Sequence, residues 1–375
     1  MILQRHIQKA IEEGLFKNKV IVIYGARQVG KTTLVKEIQK KYKDQSLYLN
    51  CDEPDIKDAL TDKTSTQLKA YFGNSRLVII DEAQRVKNIG LTLKLAFDTF
   101  PDIQIIATGS SSFDLANKVV EPLTGRKREF FLPALSVAEC TGLSSPVEFK
   151  RMFESRMIFG MYPGVVLGDS REERKNIEEI ARSYLYKDIL EIDTIRNPEG
   201  IKKLLKALAL QIGNEVSYNE LALTVGINKR TVEKYIQILE QAFIIFRLKP
   251  YYKNARNELT RLRKIYFYDL GIRNALINNF NAFDSRNDIG AMWENFVISE
   301  RMKKNNLSGM AISSHFWRTI DGREIDYLEE NGNILSAYEI KWSGNGFSAP
   351  KVFSDNYPQS TYAVITKENL FDFVG

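Results

Sequence analysis

The stretch Gly25-Ala26-Arg27-Gln28-Val29-Gly30-Lys31-Thr32-Thr33 follows the aliphatic run VIVIY at residues 20–24 and opens a segment of helical periodicity. A glycine, four variable residues, then glycine, lysine and threonine form a pattern suited to holding phosphate. The glycines let the backbone turn several N–H groups toward phosphate oxygens, assisted by the N-terminus of the helix that follows. Lys31 is expected to reach the β- and γ-phosphates of a nucleotide, and the Thr32 hydroxyl to coordinate Mg²⁺. Arg27 is a further candidate phosphate contact. A chance match on a surface turn explains the pattern poorly, because the strand before it and the helix after it are both present.

A second group lies at the end of LVIID (77–81). At the carboxyl edge of a parallel sheet, Asp81 would hold the Mg²⁺ ion through water and Glu82 would orient and polarise an attacking water as general base. That pairing favours hydrolysis over transfer to another acceptor. Asp-Glu also caps helices, so the assignment leans on the phosphate loop. Thr108 and Ser110, after the buried run IQIIATG (103–109), are placed to hydrogen-bond the attacking water or the γ-phosphate, or simply to cap a loop. Arg126 and Arg128 are candidates for a cationic finger that stabilises transition-state charge, in this copy or a neighbouring one. A solvated basic cluster accounts for these arginines nearly as well.

Two later stretches carry further chemistry. SYNELALTVGINKRTVEKYIQILEQ reads as helix, turn, helix: Ser217 is an N-cap with Glu220 at capping-box spacing, Gly226 makes the turn and Asn228 caps the second helix. Lys229, Arg230, Thr231 and Lys234 fall where a recognition helix meets DNA. The basic, tyrosine-bearing stretch after Arg247 could add phosphate contacts. The same module could equally serve as a structural or protein-binding unit. Farther on, REIDYLEENGNILSAYEIKWS reads as a hairpin turning at NGN. Its period of two puts Glu339 and Lys341 on one face with Asp326 on the neighbouring strand. Asp326 and Glu339 could bind Mg²⁺, Lys341 could position a water for phosphodiester attack, and Glu294 on the preceding helix could add a ligand. A hairpin with charges on its solvent face would look alike.

These residues need a scaffold, and the first 140 or so residues alternate short apolar runs with helical patterns, as a doubly wound parallel sheet requires. Three modules are expected: a P-loop core over 1–140, a helical lid with a winged helix-turn-helix over 141–265, and a small α+β domain over 266–375. At 375 residues each can bury its own core. Two cysteines and two histidines exclude a zinc finger or a disulfide framework. A formal charge of +6 mildly favours an anionic partner. No apolar run approaches the roughly 18–20 residues that span a bilayer, so a cytoplasmic protein without a membrane partner is expected.

Taken together, GARQVGKTTL, LVIIDEAQRV, ATGSSS, GRKREFFLPALSVAE, GMYPGVV, SYLYKDI, the helix-turn-helix stretch and EIDYLEE…AYEIKWS resemble bacterial and archaeal AAA-type P-loop ATPases with a C-terminal domain of unknown function. The resemblance spans nearly the whole chain. It implies ATP and Mg²⁺ as cofactors, and a restriction-endonuclease-like C-terminal fold whose D…ExK site corresponds to Asp326, Glu339 and Lys341. Two functions are consistent with it. One is an ATPase whose nucleotide state controls a DNA-binding, candidate DNA-cleaving C-terminal half. The other is a nucleotide-controlled switch for a protein partner, with an inactive nuclease-like domain. Either could act as a homo-oligomer.

Overall fold

A computed structural model describes residues 3–110, 123–183, 189, 195, 197–251, 263–344 and 347–375. Ser111 and Ser112, most of SYLYKDI, and the basic stretch 252–262 lie outside the described residues. The chain divides into two compact units, residues 1–134 with 241–243, and residues 135–240 with 244–375.

Among the described residues the first unit is built on five parallel strands: β1 (Val20–Tyr24), β2 (Ser46–Asn50), β3 (Leu77–Asp81), β4 (Gln104–Gly109) and β5 (Lys127–Phe131), in the order β2-β3-β4-β1-β5. Every residue of β1, β3 and β4 is buried. That explains their unbroken aliphatic runs, since a strand covered on both faces has no solvent side to make polar. Val22, Val78, Ile80, Ile105 and Ala107 centre the core. The edge strand β5 reads KREFF; three charges in five residues hide its strand character, and the sequence suggested only a basic cluster there.

Among the described residues the second unit carries seven strands: β6 (Glu215–Val216), β7 (Ile245–Pro250), β8 (Arg263–Phe267), β9 (Ser313–Arg318), β10 (Glu324–Asn331), β11 (Ile334–Ile340) and β12 (Thr361–Ile365). They form one sheet in the order β12-β11-β10-β9-β7-β8-β6. β7 joins β9 in parallel through Lys249↔His315 and Pro250↔Phe316. The strand that follows the helix-turn-helix thereby shares a sheet with the C-terminal strands. The helices Pro198–Leu210, Tyr218–Val225 and Lys229–Gln241 precede β7 and β8, and β6 and β7 flank β8 antiparallel. Gly226 takes the left-handed turn at φ 75°. The Asn228 side chain accepts from Thr231 N–H at 2.8 Å, and Ser217 accepts from Glu220 N–H at 3.5 Å.

β10 and β11 form the expected hairpin, with Asn331 opposite Ile334 and Gly332 at φ 59° as the first of two loop residues. Another junction is set by Asp269, whose Oδ2 accepts from Met161 N–H at 2.7 Å. A Cβ on Gly160 would fall 2.1 Å from Asp269 Oδ1, so the start of GMYPGVV admits only glycine. Farther along that stretch, Pro163–Val166 forms a single helical turn.

Candidate nucleotide site and an acidic cluster

β1 delivers the chain to Gly25, and the loop ends where the helix Lys31–Gln39 begins. A Cβ on Gly25 would lie 2.3 Å from the Leu132 carbonyl oxygen, and Leu132 N–H donates to Tyr24 O at 2.7 Å. Gly25 is therefore required by the segment leaving β5. Gln28 at φ 62° and Gly30 at φ 97° place left-handed residues on either side of Val29. Such alternation curls backbone N–H groups into a concave, anion-binding surface. Lys31 is 4% exposed, and its Nζ donates to the Gly25 and Ala26 carbonyls at 2.9 Å each. Arg27 is half-buried, and Gln28 and Thr33 are exposed.

Asp81, 2% exposed at the end of β3, is where three elements meet. Thr32 Oγ1 donates to its Oδ2 at 2.7 Å, Tyr48 Oη donates to the same oxygen at 2.6 Å, and Thr108 Oγ1 donates to Oδ1. Burial, and then the Asp81 carboxylate beside it, raise the Tyr48 hydroxyl well above its usual range and keep it a donor. The Thr32 hydroxyl beside a buried carboxylate is a hard-oxygen donor set of the kind Mg²⁺ takes. Glu82 follows in the left-handed region, at φ 53° and ψ 41°. That conformation is uncommon for glutamate. Its N–H donates to Thr108 Oγ1 at 3.1 Å, and its Oε2 accepts from Gln84 Nε2, which also reaches Ser110 Oγ at 3.1 Å.

Arg126 lies elsewhere. Val20 N–H donates to its carbonyl at 2.8 Å and its Nε pairs with Asp98 at 2.9 Å. It thus sits at the amino edge of the sheet, beside the start of β1, whereas the phosphate loop leaves the other end. Five residues at ~3.3 Å each separate the two edges, about 17 Å. Arg128 pairs in register with Ile21 and lays its guanidinium over the Phe130 ring. Neither arginine reaches the phosphate loop of its own chain.

In the second unit a β-bulge interrupts the pairing of β10 with β9 between Ile325 and Leu328. Asp326 lies inside it, and bulges re-aim side chains in this way. Register places Asp326 beside Glu339, one step beyond the Tyr327↔Tyr338 pair. Lys341 Nζ bridges the two, 2.6 Å from Glu339 Oε1 and 3.3 Å from Asp326 Oδ2, and Ile340 N–H donates to Asp326 Oδ2 at 2.8 Å. Burial and then Asp326 raise the Glu339 carboxyl. Glu294, on the helix Ile289–Ser308, accepts from Tyr266 Oη at 2.5 Å and Lys264 Nζ at 3.0 Å. Lys264 also pairs with Glu324. Burial pushes the Glu294 carboxyl up to about 7, with Lys264 pulling it down and Asp326 pushing it up. Two carboxylates sharing one ammonium still fit Mg²⁺, which commonly takes only one or two protein carboxylates with substrate oxygens. Among the described residues no group of three or more His, Cys, Asp or Glu side chains is arranged to hold a metal.

Sequence reasoning missed Tyr48, Gln84 and Lys264. Tyr48 was detectable as the one hydroxyl-bearing aromatic in the strand that pairs with the Asp81 strand. Lys264 carried no signal, because its partners come from a distant helix and from β10.

Residues 17–141 match a family described as an AAA domain. Residues 150–282 and 289–373 match two domains of unknown function, DUF8612 and DUF4143. An uncharacterized protein of Mycobacterium tuberculosis is 24% identical over 346 residues, covering 91% of this chain and 74% of the relative. An uncharacterized protein of Methanocaldococcus jannaschii is 26% identical over 357 residues, covering 89% and 78%. The crystal structure of Pif1 helicase from Candida albicans overlaps with a TM-score of 0.28 at 15% identity, over 53% of this chain and 50% of that one, too loosely to bear on either unit. The AAA match supports an AAA-type P-loop ATPase family for the first unit, followed by a C-terminal domain of unknown function. Among the described residues no helix is long and apolar enough to cross a membrane.

Proposed function

We propose that the chain is a Mg²⁺-dependent ATP hydrolase whose nucleotide state controls its second unit, and that DNA is that unit's partner. The observation that carries the proposal is the Thr32–Asp81 bond of 2.7 Å behind a glycine-framed loop, with Glu82 next in sequence. The loop N–H groups and Lys31 bind the phosphates. Thr32 and Asp81 would hold the Mg²⁺ ion, which when bound supplies positive charge to the phosphate oxygens. Glu82 orients a water and accepts its proton as the water oxygen attacks the γ-phosphorus and the bond to ADP breaks. Thr108 holds both Asp81 and the Glu82 backbone, so it fixes the spacing between the two acids. Arg126, remote from the loop in its own chain, is a finger only for a neighbouring copy in a homo-oligomer.

For the second unit, the order helix, short strand, two helices and two strands supports a winged-helix reading. Lys229, Arg230 and Lys234 are exposed along the helix Lys229–Gln241, which suits contact with DNA phosphates. The convergence of Asp326, Glu339 and Lys341 supports a restriction-endonuclease-like site, in which the two carboxylates would hold Mg²⁺ and the lysine would position a water. A second reading, a protein-binding switch with a silent nuclease-like domain, is favoured by one feature. Each of the four carboxylates in that cluster already pairs with Lys264 or Lys341.

The deciding experiment measures phosphate release from ATP with and without duplex and single-stranded DNA, beside a plasmid-nicking assay in Mg²⁺ or Mn²⁺. The proposal expects turnover that DNA stimulates, and nicking that Asp326→Ala removes. Turnover indifferent to DNA, with no nicking, would transfer the second unit to the protein-switch reading.

A further inference from the structure

Arg5 precedes the helix Ile7–Glu13, is 7% exposed, and has no part in the chemistry above. Its Nη1 donates to the Val29 carbonyl at 2.7 Å, and its Nη2 to the Pro133 and Ala134 carbonyls at 2.7 and 3.5 Å. The first acceptor belongs to the phosphate loop. The other two are the last residues of the first unit before the chain enters the second at Leu135.

The peptide joining Val29 to Gly30 is trans. In a planar trans peptide the C=O and the N–H point in opposite directions. Holding the Val29 carbonyl on the guanidinium therefore turns the Gly30 N–H away from Arg5. Gly30 immediately precedes the helix Lys31–Gln39, so its N–H is among the donors that have no intrahelical acceptor. Those donors are the ones a helix N-terminus offers to phosphate. Sequestering a guanidinium from water is costly unless its donors are satisfied. Here a planar fork meets carbonyls of two segments at once, which a single ammonium cannot reproduce. The same connector already touches the front of the loop, where Leu132 O packs against Gly25.

We propose that Arg5 is a positioning residue that aims the Val29–Gly30 peptide at the nucleotide's phosphates and locks the connector Leu132–Ala134 to the loop, so that nucleotide occupancy is felt at the connector. This rests on the nucleotide reading above. The test uses the full chain as wild type, Arg5→Lys, Arg5→Met and Gln8→Ala. Gln8 is equally buried in the same segment but bonds Glu12. Three quantities are read: the Kd of a fluorescent ADP analogue with Mg²⁺, the melting temperature, and hydrogen exchange across residues 130–136 with and without ADP.

Loss of charge-assisted bonds should weaken ADP binding about tenfold or more in Arg5→Met, and less in Arg5→Lys. Gln8→Ala should lower the melting temperature and leave Kd unchanged. Wild type should show nucleotide-dependent exchange at the connector, and Arg5→Met should lose it. A folded Arg5→Met that binds ADP like wild type overturns the proposal. Should Arg5→Met fail to fold, Arg5→Lys with wild-type affinity, or wild-type connector exchange unmoved by ADP, overturns it instead. Wild type that binds no nucleotide sinks the nucleotide reading, and this inference with it.

Discussion

Two buried aspartates, Asp81 in the first unit and Asp326 in the second, are held in opposite ways. Asp81 is met by the hydroxyls of Thr32, Tyr48 and Thr108. Neutral donors fix its geometry and leave its negative charge in place, so a cation has something to gain by binding. Asp326 is met by the Lys341 ammonium and a backbone N–H, within a cluster that also contains Lys264. Its charge is already answered from inside the chain. Among the described residues, Lys31 donates to the Gly25 and Ala26 carbonyls of the loop, whereas Lys341 pairs with Asp326 and Glu339. The difference between them is what meets the aspartate: hydroxyls at Asp81, an ammonium and a backbone N–H at Asp326.

The largest way to sharpen this contrast is Glu82→Gln. Removing the proposed base while keeping the hydroxyl cage should lower ATP turnover about 10²- to 10⁴-fold with nucleotide affinity retained, read by phosphate release beside equilibrium binding. Unchanged turnover would remove Glu82 from the chemistry. A smaller effect is expected from Tyr48→Phe, which deletes one of the three hydroxyls on Asp81. The Mg²⁺ concentration for half-maximal ATPase should rise about tenfold while the ATP affinity measured without metal stays put. An unaltered Mg²⁺ dependence would mean that two threonines suffice to hold the carboxylate.

The smallest effect concerns the ammonium-held cluster. The Glu294 carboxyl, ordinarily near 4.5, is pushed up to about 7 by burial. A raised carboxyl pKa means that the neutral form favours folding. That contribution is complete below about pH 4.5 and is lost as pH rises through about 7. Chemical denaturation across that window should show a falling component of stability in wild type that Glu294→Gln lacks. Identical pH slopes in both proteins would assign the fall to other groups.

Much of the first site was legible from sequence, because a phosphate loop is local. Gly25 through Thr32 are contiguous, and Asp81 and Glu82 end a strand whose aliphatic run announces it. What escaped was made by tertiary contact: Tyr48 through its strand's pairing beside β3, and Arg5 through a fold that brings residues 5, 29 and 133 together. The place of Arg126 in the fold was hidden for a related reason. Its charged neighbours disguised β5, and the β1–β5 register with the Val20 N–H bond to the Arg126 carbonyl sets it at the far edge of the sheet. In the second unit the hairpin at Gly332 and the alignment of Asp326, Glu339 and Lys341 followed from strand period and turn chemistry. The β7–β9 pairing did not, since it joins segments separated by the long helix Ile289–Ser308 and its flanking residues.

The central claim is that a hydroxyl-caged aspartate behind the phosphate loop makes a hydrolytic ATP site. Its most direct test is Mg²⁺-dependent phosphate release from ATP by wild type and by Lys31→Ala, purified identically. Turnover in wild type that chelation abolishes and Lys31→Ala lacks is the predicted result. Equal rates in the two proteins, or none in wild type at saturating MgATP with and without DNA, would contradict it.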